Sequence, residues 1–188
     1  MSKLIVFNLI SLDGFFARLN GDIDWHNVDD EFNKFAIEQT SSFGTIIFGR
    51  TTYQIFEEFW PKVINNPKFS KEDHKIAEII QNVEKIVFSK TLDNVTWKNT
   101  RLFKEIKVSE IKILKERAKK DIVIFGSGTI VQAFANLDLI DEFRFMVNPI
   151  ILGSGKPMLQ NVKEMKLEHL KTKNFKNSNV LLYYRPIK

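Results

Sequence analysis

The chain has 188 residues, 44% hydrophobic and 27% charged, the proportions of a globular protein that buries its own core. It contains no cysteine, which excludes disulfides, thiolate chemistry and Cys-ligated zinc together. The net charge is +5, but the lysines are scattered among acids without an arginine-rich tract, so no nucleic-acid partner is expected.

The first apolar run, Leu4-Ile5-Val6-Phe7-Asn8-Leu9-Ile10, predicts a buried strand. It is too short to span a membrane and lacks a signal-peptide cleavage pattern, so a cytoplasmic protein is expected. Asp29 to Thr40 predicts a helix with Phe32, Phe35 and Ala36 on one face. Thr45 to Phe48 reads as a short strand ending at Gly49. Thr51 to Trp60 reads as a helix with Ile55, Phe56 and Phe59 inward, stopped by Pro61. Ser70 and Asp73 form a capping-box pattern ahead of Ile76, Ile79 and Ile80.

Lys85 to Phe88 predicts the next strand, closed by Ser89-Lys90-Thr91, with a weaker strand at Val95 to Trp97. Ser109 is placed to cap a helix through Ile111, Leu114 and Ala118. Ile122 to Phe125 gives a further strand, followed by a helix through Ile130, Val131 and Phe134. Beyond Glu142, Phe143, Phe145 and Val147 alternate with Arg144, Met146 and Asn148 at strand period. Leu167 to Phe175 and Val180 to Arg185 read as two strands joined by the tight turn Lys176-Asn177-Ser178-Asn179, hence antiparallel. The fold class is α/β in one domain over residues 1–188: a mixed, mainly parallel sheet with a C-terminal antiparallel hairpin.

Chemistry concentrates where strands end. Gly126-Ser127-Gly128-Thr129 places bare backbone N–H groups at a strand-to-helix junction, and a helix N-terminus favours an anion, most often phosphate. The competing reading is a turn that needs small residues for packing. Ser11-Leu12-Asp13-Gly14, Gly49-Arg50-Thr51-Thr52 and Ser89-Lys90-Thr91 also follow predicted strands. In a largely parallel sheet, strand carboxyl ends share one edge, where ligands bind. Arg50 and Lys90 would bring positive charge there, and hydroxyls and glycine amides neutral donors, a set suited to a dinucleotide. The spacing is not Gly-x-Gly-x-x-Gly, and Gly-Lys-Ser/Thr never occurs. His26, His74 and His169 lack metal-ligand spacing, so no metal is expected.

Several segments stand in a familiar order: Ser11 to Ala17, Asp24-Trp25, Phe48 to Tyr53, Phe125 to Ile130, Leu139 to Arg144 and Pro149 to Pro157. Together they resemble the dihydrofolate reductase-like family, which includes the C-terminal reductase domain of the bacterial riboflavin deaminase-reductase. The resemblance implies a mixed central sheet between helical layers, a small-molecule substrate, a homodimer and NADPH as cofactor. Gly49, Arg50 and Thr51, with Ser89 and Lys90, would face the adenosine phosphate end. Gly126, Ser127, Gly128 and Thr129 would hold the pyrophosphate, and Thr52 and Ile130 would also bind the cofactor. Asp13 and Trp25 match substrate-pocket positions, with Leu152 and Gly153 beside them, and Asp13 is the candidate catalytic group.

Each of these has a plainer alternative: Asp13 as a cap on the Gly14 turn, Trp25 as a core aromatic. Phe125 stands where the riboflavin-pathway enzyme has a substrate-contacting glutamate. Asp29, Asp30 and Glu31 occupy the helix start where dihydrofolate reductases carry an acid, or simply complement the helix dipole. The implied activity is NADPH-dependent reduction of a small nitrogen heterocycle, pteridine-like or like a riboflavin precursor. The alternative is a non-catalytic NADPH-binding or nucleotide-sensing module.

Overall fold

A computed structural model describes residues 1–187. In chain order the elements are β1 (Leu4–Ser11), β2 (Phe15–Ala17), α1 (Asp30–Ser42), β3 (Phe43–Gly49), α2 (Arg50–Val63), α3 (Lys71–Asn82) and β4 (Glu84–Phe88). There follow β5 (Thr100–Phe103), α4 (Val108–Arg117), β6 (Asp121–Ile124), α5 (Gly128–Asn136), β7 (Glu142–Asn148), β8 (Lys156–Pro157), β9 (Leu167–Asn174) and β10 (Val180–Pro186). One eight-stranded sheet has the order β5-β4-β3-β6-β1-β7-β10-β9, and β2 pairs with β8 apart from it. Every pairing from β5 across to β7 is parallel, whereas β10 runs antiparallel to both β7 and β9. The mixed, mainly parallel α/β sheet with its C-terminal hairpin is as the sequence reads.

Strand alternation splits the core between two faces. Leu4, Val6, Ile122 and Ile124 meet Ile111 of α4 and Val131 and Phe134 of α5. On the other face, Ile5, Phe7 and Val123 meet Phe35 of α1, Tyr53 of α2 and Ile76 and Ile80 of α3. Central strands buried on both sides explain the near-continuous apolar runs. β7 likewise feeds both cores, Phe143 and Phe145 the first and Met146 the second.

Three local expectations need correction, and one pairing was not foreseen. Helix α2 runs past Pro61 to Val63 and buries Tyr53 and Val63, while Ile55 and Phe59 lie outward, 52% and 44% exposed. Near a helix end, a proline forfeits only one backbone bond. No strand forms at Val95 to Trp97: the Thr96 and Trp97 amides donate to Tyr53 Oη at 3.3 and 3.2 Å, leaving them no ladder to join. Lys107, not Ser109, occupies the N-cap of α4. The β2–β8 pair connects segments too short to show strand periodicity. The Ser70–Asp73 capping box is present as read.

Lys85 is fully buried in β4, yet its ammonium donates to the carbonyls of Ile80, Gln81 and Val83 at 2.9, 3.2 and 2.9 Å. Its three donors thereby satisfy acceptors left open at the end of α3. Burial, aided by Lys98, lowers its pKa to about 8, so it is charged at neutral pH.

Candidate functional site

The site begins as a fault in the sheet. β1 pairs with β6 only from Leu4↔Ile122 to Val6↔Ile124, but with β7 from Ile5↔Glu142 to Ser11↔Asn148. Past Val6, therefore, a gap opens between β1 and the chain leaving β6. This is where strand order reverses, the usual position of a ligand crevice in such sheets. Asn8 bridges the gap. With its amide oriented to satisfy both ends, its oxygen accepts from the Gly126 amide at 2.9 Å and its nitrogen donates to Phe7 O at 3.2 Å.

Two helices start at the gap, and both differ from the others. α2 follows β3 with Gly49 as N-cap, and α5 follows β6 with Ser127 as N-cap. Neither has a side-chain cap or an acidic residue in its first turn. In contrast, Asp29 and Ser70 cap α1 and α3, which carry Asp30 with Glu31 and Glu72 with Asp73 in their first turns. α4 also lacks a side-chain cap, but Glu110 lies in its first turn. A bare helix start keeps open amide donors and a partial positive charge, which an anion can satisfy.

The two starts are in contact because glycine occupies the junctions. A Cβ on Gly49 would lie 2.5 Å from Ser127 Oγ, and one on Gly126 would lie 2.9 Å from Thr52 Oγ1. Gly126 also has φ +52°, a left-handed conformation that favours glycine. Since β3 and β6 are adjacent and parallel, segments 49–52 and 126–130 converge at one edge. Register places Ser89 one residue past the Gly49↔Phe88 pair, on the same edge. Arg50, Thr51, Lys90 and Thr129 are exposed there, and neither Arg50 nor Lys90 has an ion pair among the described residues. Ser89 is buried, and its hydroxyl accepts from the Thr91 and Leu92 amides at 3.3 and 3.0 Å, fixing the turn that carries Lys90.

Asp13 follows β1 and ties two loops together. Its carboxylate accepts from the Leu152 and Gly153 amides at 3.1 and 2.8 Å and from Ser11 Oγ at 2.6 Å. The Ser11 bond, with smaller help from those amides, holds the carboxyl below its ordinary pKa despite some desolvation. The paired β2 and β8 extend this tie into a flap. The flap reaches α5: a Cβ on Gly128 would stand 2.8 Å from the Phe16 ring and 3.0 Å from Pro157 O. Gln132 of α5 donates to the carbonyls of Pro157 and Met158 at 3.3 and 3.1 Å.

Trp25 is 8% exposed, edge-on to His26, and its indole Nε1 has no hydrogen-bond partner among the described residues. His26 Nε2 is likewise unpartnered, and burial lowers the imidazole pKa to about 4, so the ring is neutral. Phe125 packs against Phe7, Phe43 and Phe56. Asp29 caps α1 through the Phe32 amide at 2.8 Å, and Glu31 accepts from the Lys176 amide at 3.0 Å.

The residues expected to hold a cofactor, Gly49 to Thr52, Ser89, Lys90 and Gly126 to Ile130, thus lie along one edge, while Asp13, Leu152 and Gly153 form a separate tie. Asn8, Phe16, Gln132 and Pro157 are not among the site residues expected from the sequence. Only Asn8 left a signal, as the one polar residue inside the run Leu4 to Ile10.

Known proteins share this fold. A profile of the RibD C-terminal domain matches residues 2–181. The uncharacterized protein YyaP of Bacillus subtilis is 30% identical over 184 residues, spanning 97% of this chain and 94% of its own. Dihydrofolate reductase from Enterococcus faecalis, solved with NADP(H), superposes with TM-score 0.66 at 14% identity, covering 99% of this chain and 97% of that one. The Thermotoga maritima diaminohydroxyphosphoribosylaminopyrimidine deaminase/5-amino-6-(5-phosphoribosylamino)uracil reductase gives TM-score 0.69 at 17% identity, covering 99% of this chain and 57% of that one. The fold is therefore dihydrofolate reductase-like, and the chain belongs to the RibD C-terminal domain family.

Proposed function

We propose that the protein is an NADPH-dependent reductase of a small nitrogen heterocycle, either a pteridine or an aminopyrimidine of the riboflavin-precursor type. The observation that carries this reading is the meeting of two bare helix starts at the gap between β1 and β6, with Arg50 and Lys90 at the rim and without an ion pair among the described residues. Amides of the α5 start suit a pyrophosphate, and Arg50 with Lys90 suits the further phosphate that separates NADPH from NADH. The close approaches at Gly49, Gly126 and Gly128 leave no room for a side chain, in keeping with a cradle formed by main chain.

When bound, the nicotinamide supplies the hydride; the chain's own contribution is orientation and electrostatics. Asn8 holds the Gly126 turn, and the Asp13 tie fixes the flap lying on Gly128. Trp25, whose Nε1 has no partner among the described residues, is the proposed ring-facing group on the substrate side.

One observation favours a second reading, a binding module without turnover: both Asp13 oxygens are committed to loop amides, as in a structural clamp. The test is NADPH oxidation with dihydrofolate and with an aminopyrimidine riboflavin precursor, using the native protein and Asp13→Asn. Turnover of either substrate, abolished in Asp13→Asn with NADPH affinity retained, supports the enzyme. NADPH binding without turnover of a broad heterocycle panel supports the module.

A further inference from the structure

Away from the crevice, helix α4 leaves part of its sheet face uncovered. Between α4, the starts of β3 and β4, and the chain entering β6 lies a cavity of about 760 Å³. That size is in the range of small-molecule sites, roughly 300–1,000 Å³. Neither Arg50 nor Lys90 lines it, nor does any residue of 126–130.

The lining has two parts. Ile86, Phe88 and Phe103 form an apolar floor, with Ile111 and Leu114 of α4 beside them. The rim carries Arg101, Lys107, Arg117, Lys119 and Lys120 against only Glu84 and Glu110, five cations to two carboxylates. Glu84 pairs with Arg101 and Glu110 with Lys107, while Lys120 donates to Ser41 O at 2.9 Å. Arg117 and Lys119 have no ion pair among the described residues.

Charge and shape together select the occupant. A second copy of the chain in a two-fold contact would set this positive surplus against itself. A hydrated phosphate or a nucleic-acid backbone would leave the aromatic floor unused. We propose that the cavity is a second ligand site for an amphipathic carboxylate with a flat, ring-sized apolar body. The body lies on Ile86, Phe88 and Phe103, and the carboxylate meets Arg117 and Lys119.

Naphthalene-2-carboxylate and its neutral isostere naphthalene-2-carboxamide serve as probes, followed by amide chemical shifts and by calorimetry. The carboxylate is expected to bind saturably and at least about tenfold more tightly than the amide. Shifts should centre on Ile86, Phe88, Phe103 and Leu114. The double variant Arg117→Gln/Lys119→Gln should remove that preference without changing amide binding, and Arg50→Gln should leave both affinities unchanged. Equal affinity for the two probes, insensitivity to the double variant, shifts centred on Gly126, or no saturable binding would each overturn the proposal. So would a solution dimer whose interface covers Arg117 and Lys119.

Discussion

Asn8 concentrates the residue-scale argument. Asn8 is a half-buried carboxamide on the β1 face that also carries Leu4, Val6 and Ile10, costly there unless bonded, and it spans the opening between two strands to hold the Gly126 amide. Asn8→Ala should leave the sheet folded but free the turn. NADPH affinity is expected to fall roughly fivefold to thirtyfold, matching about 1–2 kcal/mol for one partly shielded hydrogen bond, while the melting temperature without ligand changes little. Calorimetric titration of both proteins checks this, and Asn8→Thr, which keeps an acceptor, should recover part of the loss. The sequence shows that Asn8 is out of place in its strand; it does not show its partner, which lies across a non-local strand gap. Asp13 is similar. An Asp-Gly turn is legible, but the amides of Leu152 and Gly153 that occupy the carboxylate come from a loop far along the chain.

At the scale of elements, the contrast among helix starts is the most informative feature. The acids that open α1 and α3 were visible in the sequence, and so was the Ser70–Asp73 box. Their absence from α2 and α5 is equally legible, and under the proposed function those two starts take a ligand's charge. Thr129→Asp places an acid in the first turn of α5. It should stabilise the unliganded protein by about 0.3–1 kcal/mol through the helix dipole. NADPH binding should weaken at least about tenfold, because like charge then faces the phosphates. A higher melting temperature with poorer cofactor titration is the expected pair of results. The junction of α3 with β4 gives a separate test. Lys85→Met keeps the apolar stem but strands the carbonyls of Ile80, Gln81 and Val83, so urea unfolding should show a loss of about 2 kcal/mol. Folded Lys85 releases its proton near pH 8, against an ordinary value of 10.5. Between those values the unfolded chain binds more protons, so native stability should rise with pH across that window, and this rise should vanish in Lys85→Met. The inward face of α2 was misread because Ile55 and Phe59 are apolar yet exposed, while Tyr53 turns inward to hold the Thr96 and Trp97 amides.

For the whole molecule, alternating strand and helix patterns disclose an α/β sheet, and the short turn before Val180 discloses its antiparallel end. What they do not disclose is strand order. β6, late in the chain, inserts between β3 and β1, and that crossover brings Gly49 to Ser127. Local sequence encodes each helix start separately; only the topology makes them one site. The flap was hidden for the same reason, since β2 and β8 are brief and paired across most of the chain. The most direct measurement is an NADPH titration of the isotope-labelled protein, followed by backbone amide chemical shifts. Saturable shifts concentrated at residues 49–52, 89–90 and 126–130 are expected. No saturable change there, or changes confined to other parts of the sheet, would contradict a dinucleotide site at the two helix starts.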